Sequence, residues 1–132
     1  MIPFLIAIPL IAHGLANIIG FIEAMGKAPR NFYDKPWLFS SGITMQSPIG
    51  KIFGLLWLAS TILLVAAGVG LLLHSSWWSA LAIAGSLCSL LAIVPWWNTV
   101  VPGAKAGAAF DLIILVVLLT PLRDWLLKAI GS

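Results

Sequence analysis

The chain has 132 residues, 61% of them hydrophobic and 8% charged, with a mean hydropathy of +1.10. Soluble domains carry about a quarter of their residues as charges, so this composition excludes an ordinary soluble fold and points to a membrane protein. The net charge of +3 rests on seven dispersed basic residues with no run among them, which excludes a nucleic-acid partner. The single cysteine, Cys88, excludes an intrachain disulfide, a CxxC redox centre and a cysteine-cluster metal site.

Hydropathy predicts four spans within one domain, residues 1–132: an all-α, integral membrane four-helix antiparallel bundle. The first covers 2–22. No Lys or Arg precedes its apolar run, which is too long for a signal h-region, so it is expected to stay attached. Pro3 falls where a missing N–H costs least, and Pro9 is a candidate bend. The second covers 52–73. The third covers 78–96, bracketed by Trp77-Trp78 and Trp96-Trp97; indole rings favour membrane–water interfaces. Trp78 to Trp96 is eighteen steps, roughly 27 Å of helix, close to a hydrocarbon core of about 30 Å. The fourth covers 106–122 and ends at Pro121 and the tail Arg123-Asp124-Trp125. The Pro-, Ser- and aromatic-rich segment 26–51 is a loop expected along the headgroups.

Lys27, Arg30, Lys35, Lys51 and Lys105 fall in loops on one side, Arg123 and Lys128 on the other. That bias puts the two longer loops in the cytoplasm and both termini outside it. Small residues recur at four-residue spacing: Ala12, Ala16, Gly20 and Ala24; Ala66 and Gly70; Ala80, Ala84, Cys88 and Ala92; Gly103 and Gly107. Lipid gives helices no hydrophobic reason to associate, so these stripes are the expected packing faces.

Polar residues inside the spans carry the functional signal. Counted from Glu23, Asn17 lies roughly 9 Å deep and His13 roughly 15 Å deep; counted from Ala106, Asp111 lies roughly 8 Å deep. Ser60 and Thr61 on the second span, and Ser86 and Ser89 on the third, fall at roughly 10 to 15 Å. Intramembrane ionisable groups face the bundle interior with a partner or water. The depths therefore predict a shared polar layer, with Asn17 hydrogen-bonded to Asp111. His13 is either structural glue for a serine or carbonyl, or part of a ligand- or proton-handling site. Asp111 as a simple helix cap would leave only Leu112 to Leu122, too short to cross the core.

Glu23 and Lys27, four apart, read as a surface ion pair of little energetic weight, and His74 as a solvated turn residue. Trp77, Trp78, Trp96, Trp97 and Trp125 read as interfacial anchors. One histidine, one amide and one carboxylate make a poor metal-ligand set, so no metal is expected. Nothing supplies a nucleophile with a base, a phosphate-binding loop or paired catalytic carboxylates, so catalysis and a resident cofactor are not expected.

His13-Gly14-Leu15, Asn17, Gly20-Phe21 and Ala24-Met25-Gly26 resemble the first-helix signature HGxxHxxGFxxAxG of small bacterial four-helix membrane proteins related to the DoxX group. Lys105, Gly107 and Asp111 fall where that family shows K-x-G-x-x-x-N. The pattern's second histidine is Asn17 here and its asparagine is Asp111, which weakens any transfer of histidine-pair chemistry. The resemblance implies a redox- or quinone-associated accessory protein of the bacterial cytoplasmic membrane. A non-catalytic binding subunit is expected, its polar layer receiving a quinone, lipid or other amphipathic molecule. The alternatives are a structural subunit docking onto a larger membrane complex or a second copy, and a proton pathway or transporter. Four spans without an internal repeat argue against the last.

Overall fold

The structure, a computed structural model, describes residues 1–26, 35–39, 42–98 and 103–131. Among them the chain forms five helices and no strand: α1 (Ile2–Met25), α2 (Pro48–Leu72), α3 (Trp78–Ile93), α4 (Gly103–Leu119) and α5 (Leu122–Ile130). α1 and α2 are each long and apolar enough to cross a membrane. α4 and α5 reach that test only together, as a broken pair bent by 90°, and α3 is a shorter apolar helix.

Local sequence sets the helix ends. α2 begins at Pro48, ahead of the expected Ile52, because Ser47 caps it: its Oγ accepts from Gly50 N, and proline suits the first helical position. α3 stops at Ile93, short of the expected Trp96: Val94 is still helical and bonds Leu90 O, but Pro95 has no N–H to carry the ladder on, and Trp96 N turns back to Ile93 O. α4 starts three residues before the expected Ala106. The charged tail expected after Pro121 is a helix: after the break at Thr120 and Pro121, α5 exposes Arg123, Asp124 and Lys128 and buries Ile130 in the core. α2 and α3 join through a tight turn in which His74, exposed as expected, takes φ 54° and Ser75 N bonds Gly70 O, a Schellman-type closure with histidine in glycine's place.

The helices follow one another around the bundle, α1 on α2, α2 on α3, α3 on α4, while α1 and α4 scarcely touch. The α1–α2 interface is antiparallel and built on glycine. Gly14 lies against Leu64 and Val65, Gly20 against the Trp57 ring, Gly54 against Ala24, and Gly68 against Ile11 and the Ala7 backbone. The expected stripes are used only in part: Gly20, Ala24, Gly70 and Ala92 are buried, but Ala12, Ala16 and Ala80 face outward. Four-residue spacing does not reveal which face looks at a neighbour, and on α1 the packed face is turned toward Gly14 and Asn17.

Two apolar clusters divide the core. Leu10, Leu64, Leu71, Trp78 and Ile114 belong to the one near the termini, and Met45, Trp57, Ile93 and Trp96 to the one near the longer loops. The described parts of 26–51 fold back on the bundle: Met45 is buried, and Trp37 Nε1 donates to Val94 O at 2.6 Å. Glu23 is buried, not on the surface as expected, and its carbonyl accepts from Gln46 Nε2 at 3.0 Å. Its expected partner Lys27, like Arg30, lies outside the described residues.

Candidate functional site

Between the two clusters the polar side chains meet. Asp111, 0% exposed, receives His13 across the α1–α4 seam, with Nε2 2.8 Å from Oδ1. Asn17, one turn along α1, instead donates both amide protons away from Asp111, to Ser60 Oγ at 2.9 Å and Ser89 Oγ at 3.1 Å. Ser89 Oγ also lies 3.5 Å from His13 Nε2. A single network therefore joins α1, α2, α3 and α4, but the expected Asn17–Asp111 bond is replaced by His13–Asp111.

The reason is register. α4 begins at Gly103, three residues before the expected Ala106, so Asp111 lies roughly 12 Å along its helix, deeper than the sequence count and within reach of His13. Depth counted from the two nominal helix ends was thus one turn out, which moves Asp111 from Asn17 to His13.

Two of the expected layer residues stay outside the network. Thr61 Oγ1 bonds back to Trp57 O within α2, at 3.0 Å. Ser86 Oγ is buried with no hydrogen-bond partner among the described residues. Asp111 Oδ2 is likewise unpartnered, so the carboxylate is held on one oxygen only. The tryptophans divide as well. Trp77 and Trp125 are exposed and Trp97 half-buried, but Trp78 and Trp96 are buried in the two core clusters and serve packing.

On the loop side of His13 the seam opens into a half-open cavity of about 350 Å³, lined by His13, Asn17, Gly20, Trp57, Trp96 and Gly107 among others. On the terminus side a second, almost wholly apolar groove of about 280 Å³ runs between α1 and α4, with Trp125 and Leu126 of α5 in its wall. The layer between them is His13, its ring edge-on to Phe110 with centroids 5.1 Å apart, and Asp111.

Nε2 being taken by Asp111, the ring's other nitrogen is the one left for the cavity. A methyl group on Gly107, itself a cavity residue, would lie 3.2 Å from His13 Cε1 and 3.9 Å from Nδ1. A carboxylate that fixes one imidazole nitrogen orients the ring and defines what the other can do. Of the cavity walls, Trp57 was not expected as a site residue, Trp96 was expected as an interfacial anchor, and Gly103 and Gly107 as a packing face. Among the described residues no three His, Cys, Asp or Glu side chains come together as a metal site. No family model matches the chain, and no curated protein or solved structure matches it either.

Proposed function

We propose that the chain is a four-crossing protein of the bacterial cytoplasmic membrane, a non-catalytic accessory subunit that holds a quinone, lipid or similar amphipathic molecule against His13 and Asn17. The observation that carries this reading is the oriented imidazole at the edge of a cavity: His13 is fixed by Asp111 at 2.8 Å and lines a space of about 350 Å³. Pockets for small molecules are mostly apolar with a few convergent polar groups, and this one has that make-up. If the cavity were mere packing, an ionisable pair at mid-bundle would be a cost without a return.

The order of the helices, each of α2, α3 and α4 packed on the one before it, supports four crossings. α3, with 16 residues, and α4, with 17, each reach roughly 24 to 26 Å, and turn residues extend both toward a core of about 30 Å. α5 then lies along the surface: Leu126, Leu127 and Ile130 pack on the bundle, while Arg123, Asp124 and Lys128 face out. Exposed Lys35, Lys51 and Lys105 mark the cytoplasmic end, and the termini lie opposite. The resemblance of the first helix to the DoxX-like signature, in His13, Gly14, Gly20 and Phe21, supports a redox-associated membrane role.

The test is the content of the purified protein. Organic extraction of the wild type is expected to yield a quinone or a defined lipid that His13→Ala loses and Leu112→Ala, a change at an exposed position, retains. Equal content in all three would overturn the reading.

A further inference from the structure

The hydrogen-bonding valence of the cavity narrows its ligand. We infer that the bound molecule is an uncharged amphiphile whose head is a hydroxyl, a phenol or quinol in chemical class, rather than an oxidised quinone or an anionic lipid; this rests on the cavity reading above. Asn17 is 6% exposed and lines the cavity, and both of its amide protons go to Ser60 and Ser89. What remains of the amide for a ligand is Oδ1, and a carbonyl oxygen only accepts. The group that meets it must donate.

His13 adds the second point. With Nε2 on Asp111, Nδ1 presents either a lone pair or an N–H to the cavity, according to how many protons the pair holds. A hydroxyl answers both cases, because it donates and accepts. A quinone carbonyl or a sulfonate oxygen accepts only, and would face the Asn17 carbonyl with nothing between them. Among the described residues no lysine or arginine lines the cavity, and the Asp111 carboxylate lies beside it, which disfavours an anion. Trp57, Trp96 and Ile93 supply flat and apolar walls for a ring carrying that hydroxyl.

The experiment uses the full chain in nanodiscs and three probes with the same twelve-carbon tail: 4-dodecylphenol, dodecyl-para-benzoquinone and dodecanesulfonate. Retention on protein-containing discs, less that on empty discs, gives the affinities. The phenol is expected to bind about tenfold or more tighter than either other probe, the lower end for an unmade buried hydrogen bond. Asn17→Leu should level the three, but it also strips Ser60 and Ser89 of their donor. Ala16→Phe therefore locates the site: Ala16 is exposed, lines the cavity and makes none of the network's hydrogen bonds, and its phenyl ring should block all three probes. Equal binding of the probes, or tighter binding of the quinone or sulfonate, overturns the hydroxyl inference and leaves the cavity reading standing. Binding of none of them, or binding untouched by Ala16→Phe, overturns both.

Discussion

α1 meets its two neighbours in opposite ways. Against α2 it is knit by Gly14, Gly20, Gly54 and Gly68, with side chains of the opposite helix filling each gap. Against α4 it is held at His13–Asp111, with open space on either side of that contact. Helices in lipid associate through close packing and interhelical hydrogen bonds, and this molecule assigns the two devices to different faces of one helix. In the function proposed above, the glycine face holds the fold while the seam admits the ligand.

The largest expected effect breaks the knit side. A Cβ at Gly20 would overlap the ring of Trp57, which is itself buried. Gly20→Val is expected to cost about 3 kcal/mol or more, the upper range for overpacking against a rigid neighbour. Ala16→Leu, one turn away on the same small-residue stripe but exposed, should stay within about 0.5 kcal/mol. Thermal denaturation in one detergent, read side by side, checks the contrast; similar losses would mean that the two faces are not distinct.

The seam is tested next. Asp111→Leu removes the acceptor from His13 and is expected to cost about 1 to 3 kcal/mol, the range for leaving a buried polar group unpaired. Asp111→Asn should cost less, because an amide oxygen still accepts from Nε2–H. A double-mutant cycle with His13→Leu isolates the pair; interhelical hydrogen bonds in membranes couple by about 0.6 kcal/mol on average and up to about 1.7. Among the described residues Asp111 Oδ1 has no other partner, which favours the upper part of that range. Zero coupling would mean that something other than this contact closes the seam.

Composition made α1, α2 and the core of α3 legible, because runs of that hydropathy have few other fates. Ser47-Pro48 is a readable start signal for α2, one turn ahead of the point after Lys51 where the uncharged run begins. The α4–α5 break was harder. Nine residues give too few turns for an amphipathic pattern to outweigh the charges Arg123 and Asp124, and Pro121 read as an end when it was a corner. In the site, residue type revealed that His13, Asn17, Ser60, Ser89 and Asp111 belong together, since hydrocarbon leaves polar groups little choice but to find one another. Partner choice was not legible. It depends on a one-turn offset that is set by where α4 begins, and no local spacing records that.

The three serines of the middle layer sharpen the comparison at its smallest scale. Ser60 and Ser89 each accept a proton from Asn17, and Ser86, one turn from Ser89 on the same helix, is equally buried but bonds to no described side chain. Losing an acceptor leaves an amide proton unsatisfied, so Ser60→Ala and Ser89→Ala should each cost about 1 kcal/mol. Ser86→Ala removes a hydroxyl that gains nothing from its burial. It is expected to be neutral or to stabilise by a few tenths of a kcal/mol, since deleting an unpaired polar group relieves its desolvation. The same denaturation series ranks the three. A loss at Ser86 as large as that at Ser89 would show that its hydroxyl does find a partner, and the network would then reach one turn further along α3 than Ser89 carries it.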